Sequence, residues 1–422
     1  VRGLPARTLG GQLGYTSDGG LAMESRWSHR NVLGGGQTLE VGVAGQSGWL
    51  SLDRNPEQFV RGSINIRHPA IFARRATLTY GPTAEYRDDY RDRSFETGFG
   101  FTVVRPLGGI SSLSLSYAVS TRRIYEYRFS DISAGIDLLE LLQLSADGVL
   151  DELGARLNRS VATLGLSILD IDSPTDPTRG YSIEPTLSTT VFPALNTSEF
   201  VSAQVKASGY VPIGGAATLA ARIGAGRLFP FGKTVPVDTR EGLRNMFRLR
   251  EDLFTAGGSR DVRGWSERML GPKFPNMILN ISEETDSITL DSDRYTPLGG
   301  LNRVHGTVEL RFPMTAIAPG VSSHVFVDAG RIWTTDDRFV SPGDPYGVAK
   351  LFWSTGAGFD VDTPVGSFRL TVGYKLNPSF IDLADPDDAL RALLEGTPPD
   401  AIDVEEHPIR RFRLHIGFGR LM

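Results

Sequence analysis

The 422-residue chain has a net charge of -5 and a sequence pI of about 5.8, so it lacks the basic footprint typical of nucleic-acid-binding proteins, and nucleic acid is not expected as a partner. It contains no cysteine, which excludes disulfides, thiolate metal sites and a cysteine nucleophile. No apolar run approaches the roughly 18 residues of a membrane-spanning helix. A mean hydropathy of -0.14 still permits a transmembrane β-barrel, whose strands alternate between lipid and a polar lumen.

About sixteen strands are predicted along the chain, because apolar and polar residues alternate in many short segments. In SSLSLSYAVS, for example, Leu113, Leu115 and Tyr117 oppose serines. Even-numbered strands are followed by short turns such as NVLGGGQ and PIGGAA, whereas longer polar insertions more often follow odd-numbered strands. Short turns at one rim and long loops at the other are typical of outer-membrane barrels. We therefore predict an all-β fold, a transmembrane up-and-down antiparallel β-barrel over residues 9–422, rather than a soluble propeller or sandwich.

The longest predicted connection, residues 230–297, has no clean helical or strand period. Connections of that length inside compact domains are usually disordered or functional. This one contains GGSRDVRGWSERMLGP, with Val262, Arg263, Gly264 and Trp265 at its centre. Gly264 would permit a tight tip, and Trp265 would supply an amphipathic anchor.

Two acids on the strands after this loop are predicted to face the lumen. Alternation in HGTVELRFP and SHVFVDAGRIW points Glu309 and Asp328 inward from the twelfth and thirteenth strands. Carboxylates in a confined site repel unless a cation joins them, and a guanidinium fork can bridge two of them. We therefore predict that the loop folds into the barrel and that Arg263 reaches both acids, while Arg268 remains exposed. Other inward residues expected around the tip are Phe326, Gly330, Gly356 and Gly358.

The first and last strands must pair to close the barrel, and both are rich in glycine. These glycines are Gly10, Gly11, Gly14, Gly417 and Gly419. Glycine weakens strands and also marks close backbone approach. The pattern predicts either a weak closing seam or, equally, relief of crowding against the inserted loop.

The C-terminal stretch RRFRLHIGFGRLM alternates as expected for the closing strand of a barrel. The residues on one side of this alternation are Phe412, Leu414, Ile416, Phe418 and Met422.

These stretches together resemble the barrel domain of the BamA and TamA family of outer-membrane protein assembly factors, which also includes two-partner secretion translocators. The matching motifs are AGGSRD and VRGW, LGP, VELRFP, VFVDAG, STGAGFDVDTPVGSFRLTVGY, FRLHIGFGRLM and an opening hairpin, LGYTSDGGLAMESRWSHRNVLGGGQTLEV. In that family the loop arginine contacts acids on the twelfth and thirteenth strands of sixteen, which correspond here to Arg263, Glu309 and Asp328. The family's barrels usually follow periplasmic POTRA modules, so residues 1–8 are interpreted as residual linker from a possible upstream region. The family's closing signal commonly ends in an aromatic residue, where this chain has Met422.

The resemblance implies an outer-membrane protein assembly or insertion factor that acts through a weak seam, in a bacterial outer membrane or an organelle membrane of bacterial origin. The alternatives are a protein-translocating pore of the two-partner secretion type and a structural barrel that anchors a larger outer-membrane complex. Implied partners are outer-membrane lipids, client outer-membrane proteins, and periplasmic or outer-membrane partner proteins. No enzyme activity, cofactor or metal is expected, because HExxH, GxSxG and GxxxxGK[ST] motifs are all missing from the sequence.

Overall fold

The computed structural model describes residues 6–53, 56–69, 75–127, 156–174, 176–214, 217–234, 248–276, 278–282, 287–314, 320–334, 351–363, 366–395 and 407–419. Sixteen of the described strands form one closed antiparallel barrel, and four short strands form two hairpins within the long connection. This confirms the predicted fold class and strand number.

The strands, in chain order, have the following bounds. They are β1 (Arg7–Thr16), β2 (Gly20–Arg30), β3 (Thr38–Gln46), β4 (Gln58–Pro69), β5 (Thr77–Asp88), β6 (Asp92–Gly108), β7 (Ser111–Tyr127), β8 (Arg156–Ile171), β9 (Gly180–Thr190), β10 (Phe200–Pro212), β11 (Thr218–Pro230), β12 (Lys273–Pro275), β13 (Ile278–Ser282), β14 (Ser287–Asp291), β15 (Tyr295–Pro297), β16 (Asn302–Pro313), β17 (Val321–Trp333), β18 (Phe352–Thr363), β19 (Gly366–Lys375) and β20 (Phe412–Gly419). The described helices are α1 (Phe380–Leu383) and α2 (Pro386–Leu394), with short 3-10 turns at Pro193–Leu195, Gly232–Thr234 and Pro408–Arg411.

Each barrel strand pairs with its neighbours in chain order, except that β11 pairs with β16 across the long connection and β20 pairs with β1. The twelfth, thirteenth and fourteenth strands of the barrel are therefore β16, β17 and β18. The turn between β6 and β7 is one of the tightest at the short-turn rim, and Gly109 adopts a left-handed φ of 53° there. Because short turns mark the periplasmic rim of outer-membrane barrels, β1 starts at the periplasmic side.

The outer face of the barrel is apolar and exposed, as contact with lipid requires. Alternate residues on the strands present large hydrophobic side chains outward, including Leu9, Met23, Ile64, Phe99, Leu115, Ile223, Val308 and Val325. Within the described residues, no helix combines the length and apolar character needed to cross a bilayer.

The outer part of the lumen holds a hydrophobic core. Val262, Trp265 and Leu270 of the long connection pack there with Phe352 at the start of β18 and Ile381 of α1, and all five are almost completely buried. Burial of this size stabilises the inserted loop, since each large apolar side chain contributes about 1.5–3 kcal/mol when fully buried. The loop is thus packed as part of the domain interior.

Candidate functional site: the loop tip and the closing seam

The tip of the long connection is a compact turn held by backbone hydrogen bonds. Antiparallel bridges join Ala256 to Leu270 and Phe254 to Gly300, and these bridges close the base of the tip. Within the tip, the amide of Gly258 donates to the carbonyl of Trp265 at 3.0 Å. These bonds satisfy backbone groups that would otherwise be buried unpaired in the lumen.

Arg263 lies at the centre of the tip with its guanidinium between two carboxylates. Its Nε and Nη2 donate to Asp328 Oδ2 and Oδ1 at 2.9 and 2.8 Å, and its Nη1 donates to Glu309. The backbone amide of Arg263 also donates to Asp328 Oδ2, at 2.9 Å. The guanidinium carbon lies 3.4 Å from the centroid of the Phe326 ring, and Arg311 gives Glu309 a second cationic donor.

The arrangement around Arg263 is almost entirely shielded from water. The side chains of Arg263, Glu309 and Asp328 are 4%, 6% and 0% exposed. In such surroundings a paired charge is stable, but removal of one partner leaves an isolated buried ion. The contact therefore fixes the loop to β16 and β17, and removing any one of the three charged side chains should be strongly destabilising.

Gly264 and Trp265 place the tip against β18 and α1. A Cβ added to Gly264 would lie 2.7 Å from Ser354 Cβ, so only glycine permits this approach. Trp265 Nε1 donates to Asp382 Oδ1 of α1 at 2.9 Å, and its ring packs edge-on against Phe352. Lys273 also donates to Asp382. Burial alone would raise the pKa of Asp382, but the nearby ammonium groups keep it below its ordinary value.

The small inward residues named from the sequence have different neighbours. A Cβ on Gly330 would lie 2.7 Å from Val262, so this glycine makes room for the tip itself. Gly356 instead makes room for the ring of Phe326 and Gly358 for the ring of His324. Gly330 therefore borders the tip itself, whereas Gly356 and Gly358 border neighbouring inward side chains.

Arg268 is not exposed as predicted. Its side chain is 24% exposed, it forms an ion pair with Glu57, and its guanidinium carbon lies 5.6 Å from the centroid of the Tyr90 ring. The prediction failed because the loop between β3 and β4 folds toward the plug, which is the part of the long connection that packs in the lumen. No local sequence pattern encodes that contact.

His415 and Asp18, which no sequence motif marks, connect the tip to the terminal strands. His415 Nε2 of β20 lies 2.9 Å from the carbonyl oxygen of Arg263, and its Nδ1 lies 3.4 Å from Asp18 Oδ2. Asp18, in the turn after β1, also accepts from the Ser259 amide at 3.2 Å and from Arg413 at 3.2 Å. Burial alone would raise the pKa of Asp18, but His415 and Arg413 lower it to about 2.

The closing seam is short in the described residues. β1 and β20 pair only through Gly14, Tyr15 and Thr16 opposite Gly419, Phe418 and Gly417. One more backbone bond joins the Ser17 amide to Ile416 at 2.7 Å. In contrast, β6 and β7 pair along nearly their whole length.

Toward the periplasmic rim, β1 is bare on its seam side in the described part of the chain. Every residue from Arg7 to Leu13 is exposed, and an open groove of about 790 Å³ runs beside them. A Cβ added at Gly10 would meet no described atom within 4 Å, and one at Gly11 would meet only the Glu24 carbonyl. Crowding against the loop therefore does not explain these two glycines.

The C-terminal residues reach this site only in part. Phe412, Leu414, Ile416 and Phe418 alternate along β20, with Phe412 and Leu414 exposed on the outer face. Met422 lies outside the described residues, as do residues 1–5.

A closed sixteen-stranded barrel with an apolar outer face and its own loop packed in the lumen defines a class of outer-membrane protein. Residues 31–417 match the Omp85 superfamily domain, and the chain belongs to that superfamily. It is a β-barrel of the bacterial outer membrane. A search of curated proteins finds no match.

Solved structures of similar fold include BamA from Haemophilus ducreyi lacking POTRA domains 1-3, with a TM-score of 0.67, 16% identity, and coverage of 98% of this chain and 70% of that one. CdiB from Escherichia coli has a TM-score of 0.55 and 14% identity, over 99% of this chain and 63% of that one. CdiB from Acinetobacter baumannii has a TM-score of 0.50 and 11% identity, over 99% of this chain and 60% of that one. The chain thus spans less than two thirds of either CdiB.

Proposed function

We propose that this barrel inserts client proteins into the outer membrane through the seam between β1 and β20. The observation that carries the proposal is the edge of β1 from Arg7 to Leu13, which has no partner strand among the described residues. An unpaired strand edge presents amide and carbonyl groups that template another strand without requiring a particular sequence. Because this edge lies at the periplasmic end of the seam, a client strand arriving from the periplasm would meet it first.

The contacts at the outer end of the seam suggest how opening is controlled. Asp18 follows β1, whereas His415 and Arg413 belong to β20, so separating the two strands pulls Asp18 away from both. Arg263 keeps its side chain on β16 and β17 while its carbonyl contacts His415. The plug can therefore remain anchored on one wall while the seam opens at the other.

A lateral route is favoured over passage through the lumen by the packing of the plug. Trp265, Leu270 and Ile381 close the outer part of the lumen with almost complete burial. A chain crossing by the lumen would have to displace this core and the buried ion cluster around Arg263. Among the described residues, a client that pairs with β1 would need to separate three residue pairs of the seam and the contacts of Ser17 and Asp18 with β20.

A cysteine cross-link between opposite seam residues tests the proposal. Tyr15→Cys with Phe418→Cys places the only two thiols of the chain on facing positions. We expect oxidation to abolish insertion of a porin into lipid vesicles containing the protein, and reduction to restore it. A matched pair, Val41→Cys with Ile64→Cys, joins β3 to β4 and should leave insertion unchanged.

Insertion that continues with a fully oxidised seam would rule out the lateral mechanism. In that case, passage of a secreted protein across the vesicle membrane would identify a translocating pore. A barrel inactive in both assays, cross-linked or not, would fit the structural anchor of a larger complex.

A further inference from the structure

A cavity of about 260 Å³, with several charged side chains in its wall, lies between the loop tip and the last outer loop. Its walls come from the tip, from the turn after β3, from the ends of β19 and β20, and from α1. The residues that carry the inference are Trp265, Ser266, Lys375, Arg413 and Asp53. Its volume is several times the roughly 30 Å³ of a water molecule, so it has room for a phosphate group.

The charged side chains that line this cavity are mostly cationic. Among the described residues they are Lys273, Arg294, Lys375, Arg410 and Arg413, against Asp53 and Asp382. Several of these cations have carboxylate partners, since Lys273 pairs with Asp382, Arg410 with Asp385, and Arg413 with Asp18 and Asp53.

Lys375 differs because it has no ion pair among the described residues. Its side chain lies in the wall of the cavity and the residue is only 9% exposed. Its Nζ donates to the Arg410 carbonyl at 2.6 Å and lies 5.8 Å from the Trp265 ring centroid. An ammonium group has three donors, so further acceptors are needed to compensate its burial.

Arg413 supplies a second unsatisfied donor to the same wall. Its Nη2 donates to Asp18 and Asp53, but its buried Nε has no hydrogen-bond partner in the described structure. A buried donor without an acceptor is destabilising. An anion in the cavity would satisfy this group and compensate Lys375 together.

We propose that this cavity binds a phosphate group. A tetrahedral oxyanion offers several strong acceptors, which suit an ammonium and a guanidinium that converge from adjacent strands. Asp53 and Asp382 are the acids that oppose such a ligand, and each is already paired with a cation, Arg413 and Lys273 respectively. The bound group would touch β19, β20 and the loop tip together, and so would hold the plug in place.

Titration of the detergent-solubilised protein with inorganic phosphate tests the proposal, with calorimetry at constant ionic strength in chloride. We expect saturable binding to one site. Lys375→Gln should weaken binding by at least about tenfold, because it removes the buried charge that faces the anion. Asp53→Asn should instead tighten binding severalfold, since it removes one of the repelling acids. Arg391→Gln is the matched control, because Arg391 is 64% exposed on α2 outside the cavity.

The opposite signs of the two variants keep the test decisive even if one variant folds poorly. Absence of saturable phosphate binding in the wild type, or equal affinity in the wild type, Lys375→Gln and Asp53→Asn, would overturn the proposal. Short-chain phosphatidic acid is the second probe. Displacement of inorganic phosphate by this lipid would assign the site to a lipid head group, and failure of displacement would assign it to free phosphate.

Discussion

Arg263 contacts two regions of the barrel, β16 with β17 on one side and β20 on the other, and the two contacts differ in strength. On β16 and β17 its side chain forms a buried ion cluster with Glu309 and Asp328, and the strands there pair along their whole length. On β20 its carbonyl oxygen accepts a single hydrogen bond from His415, beside a seam of three residue pairs. One loop is thus held strongly on β16 and β17 and weakly on β20, and in the proposed mechanism only the β20 side moves.

Arg263→Ala should have the largest effect, because it leaves the buried Asp328 without its cation and Glu309 with Arg311 alone among the described residues. We expect a loss of about 3–5 kcal/mol in the free energy that holds the plug in place. The measurement is the rate of tryptic cleavage within the loop of the folded barrel.

Arg93→Ala is the matched control for this variant. Arg93 is 43% exposed and pairs with Asp88 and Glu126 outside the lumen, so its loss should cost at most about 1 kcal/mol. Equal cleavage rates in the two variants would contradict the distinction between a buried anchor and a surface pair.

Gly264→Ala should have the next largest effect. The added methyl group would lie 2.7 Å from Ser354 Cβ, and overpacking of this kind costs about 1–3 kcal/mol. Gly10→Ala, in the bare part of the seam, should change stability by no more than about 0.5 kcal/mol. Thermal unfolding monitored by electrophoretic mobility compares the two, and a larger loss at Gly10 would reverse the assignment of tight and open regions.

The strongly periodic parts of the site could be predicted from the sequence. Alternation along β16 and β17 fixes which residues face inward, so Glu309 and Asp328 were found from the period of two. The pairing of Arg263 with these acids could also be predicted, because two acids that face a confined lumen require a cation between them.

Contacts that join distant parts of the chain could not be predicted in the same way. The bond from His415 to the Arg263 carbonyl involves a backbone acceptor, which every residue possesses and no motif marks. Asp382 holds Trp265 from a loop 117 positions away, and nothing in its local sequence distinguishes it from a solvated acid. The role of Gly358 depends on the volume of the His324 ring, which is a property of packing rather than of pattern.

His415→Ala should loosen the seam while leaving the plug anchored. Loss of one buried hydrogen bond costs about 1–2 kcal/mol, which corresponds to up to about thirtyfold more of the open form. The rate at which a water-soluble maleimide labels Tyr15→Cys, introduced as the single cysteine of each protein, measures this opening. His68→Ala, which removes a contact to Tyr80 on β5 far from the seam, should leave the labelling rate unchanged. Faster loop cleavage without faster labelling would show that His415 serves the plug rather than the seam.

The smallest effect should come from acid, through Asp18. Its pKa in the folded protein is lowered to about 2 from the ordinary 3.8, so its stabilising contribution is present above pH 4 and is lost as the pH falls toward 2. At pH 3 the loss should be about 1 kcal/mol, because the carboxylate would be mostly protonated in the opened form but still ionised in the closed one.

Maleimide labelling at Tyr15→Cys, corrected for thiol reactivity with a cysteine in the unfolded chain, should therefore rise between pH 5 and pH 3. In Asp18→Asn the corrected rate should be higher at pH 5 and nearly independent of pH, whereas a parallel rise in both proteins would show that another group controls the seam.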